Sequence, residues 1–173
     1  MKLKKFYYKK IKSTNDIALK YLKKGIEEGV ILADFQTKGK GQRGKKWISF
    51  KGNLFMSVFF EVKNRISLEK ITQLNCYIVR DCLQKFTSLK IVIKKPNDIY
   101  INKQKICGIL QETLFKKKKK FIVVGIGINL NKSPKIKNYS TNFINFFTKK
   151  NVTRLKIFKL LCNSYEKKIY QFR

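Results

Sequence analysis

Between Leu89 and Leu130 this 173-residue chain is a succession of strand-length apolar runs cut by short polar turns: LKIVIKK, PND, IYI, a turn at Asn102 to Gln104, KICGILQETLF, a lysine run, then FIVVGIGINL. Connections this short leave no room for a crossover helix, so the runs must pair as an antiparallel meander. VILADF, residues 30 to 35, and NLFMSVFFEV from Asn53 add further strands, and from Leu3 to Ile11 lysines interrupt apolar residues as in a short edge strand. Ser13-Thr14-Asn15-Asp16 supplies cap residues ahead of IALKYLKK, predicting a helix that ends near Gly25 to Gly29. Leu68, Ile71, Leu74, Ile78, Cys82 and Phe86 recur at helical spacing, as do Leu155, Phe158, Leu161, Cys162, Tyr165 and Ile169 after a polar segment from Asn131 to Asn151. This order predicts an α+β fold, a mixed and mostly antiparallel sheet with helices packed on one face. No repeat or linker divides the chain, so residues 1 to 173 read as a single domain. Lys116 to Lys120 reads as a solvated hairpin turn, since five adjacent charges repel in a packed setting.

A hydrophobic content of 43%, with 14 Phe and 8 Tyr, is enough to fill a core. The net charge of +31 would suggest a polyanion partner, yet the basic residues include only five Arg and the lysines are spread over every segment. That pattern fits composition bias better than a binding face, so a basic nucleic-acid-binding module stands as the outside alternative, and neither DNA nor a membrane is the expected partner. Cys76, Cys82, Cys107 and Cys162 form no C-x-x-C pair and His is absent, so no protein metal site is expected and the thiols read as reduced core residues. The basic N-terminus lacks a signal-type apolar stretch and no 18 apolar residues run together, which predicts a soluble, cytoplasmic protein.

Two segments carry candidate chemistry. The first is GKGQRGKKW, residues 39 to 47, after a strand ending in Gln36. Its three glycines let backbone N–H groups approach a ligand, and its cations can neutralise phosphate, but it has neither P-loop spacing nor a following helix. The second is KKPNDIYINKQKICGIL, residues 94 to 110, in which Pro96 fixes a turn, Asn97 and Asp98 open a strand, and Lys105 stands beside the small residues Cys107 and Gly108.

Taken together, these segments resemble the catalytic domain of biotin protein ligases across almost the whole chain. The family's S-T-N is matched by Ser13-Thr14-Asn15, its strand-ending glutamine by Gln36, and its G-R-G-R-x-G-R-x-W loop by GKGQRGKKW. K-W-P-N-D is matched by Lys94 to Asp98, K-x-x-G-I-L by Lys105 to Leu110, and G-x-G-I-N by Gly125 to Asn129, in the same order and at similar spacing.

The resemblance implies a class II synthetase-like fold and ATP-dependent ligation of biotin, through biotinyl-5'-AMP, to a lysine of a biotin carboxyl carrier protein or carboxylase domain. Ser13, Thr14 and Gln36 are the implied ligands of the ureido ring, with Asn15, Gly39, Lys40, Gly41, Gln42, Trp47, Lys105 and Gly108 completing the biotin site. Lys40, Gln42, Arg43, Lys45, Lys94, Asn97, Asp98 and Asn129 are the implied ATP and adenylate contacts, Asn129 reading the adenine edge under apolar residues around Phe143 to Phe147. The glycine loop would fold over the α-phosphate as ligand binds. Lys105, Asp98 and Arg43 are the implied catalytic residues, and Mg²⁺ would neutralise the pyrophosphate.

The chain departs from the family pattern at Lys40 and Gln42, where arginines are usual, and at Lys95, where tryptophan is usual. No helix-turn-helix is expected ahead of Leu3, and the small C-terminal β-barrel is expected to be absent. Homodimerisation is compatible with the resemblance. A lipoate or octanoate ligase or acyltransferase of the same superfamily is the nearest alternative.

Overall fold

The computed structural model describes residues 2–63 and 66–172. Seven strands form one sheet: β1 (Lys5–Ile11), β2 (Gly29–Gln36), β3 (Leu54–Val62), β4 (Ile91–Lys94), β5 (Asp98–Ile101), β6 (Gln104–Lys116) and β7 (Lys119–Ile128). Their order across the sheet is β1-β2-β3-β7-β6-β5-β4. Only β1 and β2 run parallel, with α1 (Thr14–Lys23) as their crossover, and the expected meander follows from β4 to β7. Asn102 and Lys103, both at positive φ, close the β5–β6 hairpin as a two-residue turn whose twist matches that of the strands.

The helices do not share one face. α2 (Leu68–Gln84) and α3 (Arg154–Lys168) pack together over Val58, Phe60 and Val124, whereas α1 lies on the opposite face over Ile31, Phe59 and Val123. The alternation of β3 explains this, because its neighbouring residues are apolar on both sides and both sides need cover. On α3 the buried row is Ile157, Leu161, Tyr165 and Ile169, while Leu155, expected inside, is 54% exposed. The row follows i, i+4 spacing from Ile157, and Leu155, two positions away, falls on the opposite side of the helix. Leu68 at the start of α2 is likewise exposed. All four cysteines are free and buried, and burial pushes the thiols of Cys76 and Cys162 up to about 11 and about 12.

The lysine run is a turn only at Lys117 and Lys118, which are exposed. Lys116 Nζ donates to the carbonyls of Leu22 (3.0 Å) and Lys23 (3.1 Å) at the C-terminus of α1, Lys119 pairs with Glu27 and Glu61, and Lys120 is buried. A cation there adds a donor to the last carbonyls of the helix and meets its negative end. Lys116→Met should therefore lower unfolding stability by about 0.5 to 1 kcal/mol. A urea midpoint shifted at unchanged slope reads this out, and Lys117→Met should stay within about 0.5 kcal/mol of wild type.

Candidate functional site

α1 covers only part of its face of the sheet. Phe59 and Val123 lie under the helix, and the next positions on the same face, Ser57 and Gly125, have little or no side chain; Gly127 and its cross-strand partner Gly108 continue the gap. A cleft of about 250 Å³ opens there, with Ser13, Thr14 and Asn15 entering from the N-terminus of α1 and the glycine loop closing the other side.

Each glycine in the gap makes room for a specific side chain. A Cβ at Gly125 would lie 2.4 Å from Asn15 Oδ1, one at Gly127 2.4 Å from the Trp47 ring, and one at Gly108 2.8 Å from the same ring. The G-x-G spacing thus leaves two lanes across one strand, one for Asn15 and one for Trp47.

The Asn15 end is a buried hydrogen-bond network of neutral side chains, anchored at its edge by the Glu112 carboxylate. Gln36 Oε1 accepts from Thr14 N (2.8 Å) and Thr14 Oγ1 (3.1 Å), and Ser57 Oγ lies 2.7 Å from Thr14 Oγ1 and 2.5 Å from Asn15 Oδ1. Asn15 Nδ2 donates to Glu112 Oε2 at 2.7 Å. Ser57 and Glu112 were not among the residues read from sequence. The available signal was a lone polar residue in an apolar strand run for Ser57, in LFMSVFF, whereas Glu112 stands in the polar stretch Gln111-Glu112-Thr113 and carried no such signal.

The glycine loop carries its own backbone pairing. Gly41 N donates to Lys45 O (2.7 Å), Trp47 N donates to Gly39 O (2.9 Å), and Arg43 and Gly44 turn the tip at positive φ. The segment expected to order around a ligand is thus a small hairpin in its own right. Gln42, Arg43 and Lys45 are exposed on its rim and line the cleft. Lys40 is drawn back to Asp16 by an ion pair, and that hydrogen bond raises its pKa.

Lys105 reaches the cleft through an irregularity. Residues 105 and 108 are three apart and in a regular strand would face opposite sides, but the β5–β6 register shifts between Ile99 and Tyr100. Ile106 and Cys107 both turn into the core under α2, and Lys105 comes out beside Gly108, its Cε 3.5 Å from where a glycine Cβ would sit. Its Nζ is 2.7 Å from Asp98 Oδ1, with 13% of the Lys105 side chain and 26% of the Asp98 side chain exposed. The rings of Trp47 and Tyr139 flank the ammonium at 5.8 and 5.2 Å.

Of the residues read as ligand contacts, Lys94 and Gly39 lie outside the cleft lining, and Asn97 lines it with its side-chain amide already engaged. Lys94 is exposed on β4 with its Nζ 5.4 Å from the Tyr100 ring centre and does not line the cleft. Asn97 lines it but is buried, donating its side-chain N–H to Ile109 O, so it braces β5 against β6. Gly39 lies just behind the lining, where a Cβ would meet Trp47 O at 2.5 Å.

Asn129 opens on an adjoining cavity of about 30 Å³ that shares Lys46, Trp47, Lys105 and Tyr139 with the cleft. Its Nδ2 donates to Asn142 O at 3.2 Å, and among the described residues its buried Oδ1 has no hydrogen-bond partner. Phe143, Phe146 and Phe147, expected as its cover, pack edge-on against one another and line neither cavity. Ile144 is buried and its N–H bonds Asn129 O at 2.8 Å, which pins that segment away; Pro134, Ile136 and Tyr139 line the cavity instead.

Residues 7–129 match the model of the Biotin/lipoate A/B protein ligase family. The chain is similar to the bifunctional ligase/repressor BirA of Escherichia coli, 32% identical over 126 residues that make up 69% of this chain and 38% of the relative. It is 30% identical to the biotin–[acetyl-CoA-carboxylase] ligase of Paracoccus denitrificans over 70% of this chain and 52% of that protein. Among solved structures it resembles the biotin protein ligase of Aquifex aeolicus in complex with biotin and ATP, at 26% identity and a TM-score of 0.81, covering 98% of this chain and 71% of that one. The fold is shared with the Leishmania major biotin protein ligase in complex with biotinyl-5-AMP at 21% identity and a TM-score of 0.77, over 98% and 79% of the two chains. The chain spans about two-fifths of the length of the BirA relatives it matches.

Proposed function

The chain belongs to the Biotin/lipoate A/B protein ligase family, and from that premise we propose that it activates biotin with ATP as biotinyl-5'-AMP and passes it to a carrier lysine. The observation that carries this reading is the order of groups along the cleft. A buried neutral network of Thr14, Gln36, Ser57 and Asn15 stands at one end, the Lys105 cation in the middle, and the unpaired acceptor of Asn129 beyond it. Biotin presents a neutral ureido ring, an apolar tail and a carboxylate in that sequence, and adenine presents an amino group that donates to a lone acceptor.

In the first step a carboxylate oxygen of biotin attacks the α-phosphorus and pyrophosphate leaves. Two anions must approach, and Lys105, already desolvated and fixed by Asp98, is the cation between them. In the second step the carrier lysine amine attacks the acyl carbon, AMP leaves with the bonding electrons, and the amine loses a proton. Asp98 is the carboxylate lining the cleft that can orient or accept it. With that one carboxylate tied to Lys105, the donor set suits Mg²⁺ delivered on the nucleotide phosphates. The acceptor would be a carrier domain of a biotin-dependent carboxylase in the cytoplasm. No helix among the described residues is long and apolar enough to cross a membrane.

A lipoyl ring has no N–H or carbonyl to exchange hydrogen bonds with the buried polar end and would shield those groups from water without bonding them, which a site built to bond a polar ring discriminates against. Given labelled biotin or lipoate, ATP and a carrier domain, the protein should modify the carrier with biotin in preference by at least about 10²-fold. Equal labelling by both would reject the biotin reading.

Two substitutions probe the nucleotide side. Asn129→Ala should weaken ATP binding by about 2- to 12-fold and leave biotin binding nearly unchanged, since one neutral hydrogen bond is removed. Calorimetry with each ligand separately reads this, and equal losses would make Asn129 a general support of the pocket. Gln42 stands on the loop rim where the family pattern has an arginine, and a neutral amide holds phosphate less tightly than a charged fork. Gln42→Arg should therefore slow dissociation of the adenylate by roughly 3- to 10-fold and reduce biotin on bystander lysines. Release at the wild-type rate would mean that Arg43 or a neighbouring lysine already supplies the charge.

A further inference from the structure

We propose that Tyr139 is a positioning residue for Lys105, its ring acting with that of Trp47 to hold the ammonium in the cleft. Tyr139 belongs to no named strand or helix, yet it is fixed to the backbone of the residue it would position. Lys105 N donates to Ser140 O at 2.9 Å and Asn142 N donates to Lys105 O at 3.0 Å, so residues 140–142 run as a short parallel bridge along the start of β6. The Tyr139 ring is thereby set in register beside the Lys105 side chain, with the ammonium 5.2 Å from its centre.

The chemistry of the ammonium makes that placement consequential. It has three donors on a flexible four-carbon stem, and among the described residues the carboxylate paired with it is Asp98. One ion pair fixes a distance and leaves the stem free to rotate about it. The faces of Trp47 at 5.8 Å and Tyr139 at 5.2 Å offer weak negative potential from two more directions, and the attraction gains strength where water is scarce, as it is around a side chain 13% exposed. Tyr139 also lines both the cleft and the Asn129 cavity, so its ring bounds the space in which the cation can move.

The consequence for adenylation rests on the function proposed above; the placement of Lys105 does not. Two readouts separate them. In ligand-free protein, acetylation of Lys105 by an amine-reactive ester, followed by peptide mass analysis, should run about 3- to 10-fold faster in Tyr139→Leu than in wild type, and at the wild-type rate in Tyr139→Phe. In steady-state adenylation, Tyr139→Leu should lose about 10-fold in kcat with the biotin KM within about 2-fold, and Tyr139→Phe should restore kcat. Should Tyr139→Leu melt early, fluorinated phenylalanines at position 139 keep the ring's shape while draining its negative face, and kcat should fall stepwise with fluorination. An unchanged Lys105 acetylation rate in Tyr139→Leu, or no fluorination trend, overturns the proposal. So does a loss in Tyr139→Phe equal to that in Tyr139→Leu, since the hydroxyl would then be the working group. If wild type makes no adenylate, the proposed activity fails and the acetylation rates still decide the role of Tyr139.

Discussion

Lys105→Ala should keep its fold and form biotinyl-adenylate at least about 100-fold more slowly than wild type. A preorganised cation removed from the point where two anions meet commonly costs 10² to 10³ in rate, because the low-dielectric site offers no water to take its place. The substitution also strips Asp98 of its partner and leaves a carboxylate, 26% exposed, facing the incoming carboxylate and phosphates. Both effects act on the chemical step, so the loss should fall on kcat, and a circular dichroism spectrum and melting profile close to wild type should show that the sheet is intact. Lys105→Arg keeps the charge but brings a wider planar fork between Trp47 and Tyr139, and it should recover only part of the rate. Adenylate formation by Lys105→Ala at near the wild-type rate would remove this residue from the mechanism.

Gly125→Ala should cost biotin binding about 10- to 100-fold and lower unfolding stability by about 1 to 3 kcal/mol. The added methyl would stand 2.4 Å from Asn15 Oδ1, and Asn15 cannot step aside without breaking its bonds to Ser57 and Glu112. Those bonds in turn fix Thr14 and Gln36, so one methyl group disturbs the whole neutral end of the cleft. Gly127→Ala is the instructive comparison. Its methyl would meet the Trp47 ring at the same 2.4 Å, but that ring is carried on the glycine loop, whose tip is exposed, and is not part of a buried hydrogen-bond network. Gly127→Ala should therefore be milder in stability and act mainly on closure of the loop. Isothermal titration with biotin and thermal unfolding of both variants measure the difference, and equal stability losses would show that the loop is as rigid as the Asn15 network.

The difference between these two glycines also marks what sequence conveyed and what it could not. The meander and the glycine loop were legible because each is a local pattern with a local cause, turn residues at fixed offsets; the G-x-G strand was legible as a strand and a family motif, whereas the side chains its glycines make room for were not. The positions of Lys105 and Gly108 in one motif were legible as well, but the reason both face the cleft was not. It lies in the register shift at Ile99 and Tyr100, a property of two strands paired and of neither alone. Ser57 and Glu112 were hidden for the same reason, since one is a single polar residue in an apolar run and the other one of three polar residues in a row until β3, β6 and α1 bring them to Asn15. Lys116 looked like one charge among five until the hairpin placed it at the end of α1. The placement of α1 on the opposite face from α2 and α3 depended on which side of a two-sided apolar strand each helix would choose, and periodicity within a helix says only that it has a buried face. The aromatic cover of Asn129 was misread because Phe143 to Phe147 are the most apolar residues nearby, whereas the backbone bond from Ile144 to Asn129 turns them away and leaves Tyr139 in place.

If one cleft joins a neutral ring, a carboxylate and a nucleotide around Lys105, the product of the protein with biotin and ATP alone reveals it most directly. Mass spectrometry of the quenched mixture should find biotinyl-5'-AMP together with one pyrophosphate for each biotin consumed, and neither should form when ATP is replaced by an analogue that cannot be cleaved between the α- and β-phosphorus. ATP left intact in the presence of biotin, or cleaved to ADP and phosphate, would contradict the account.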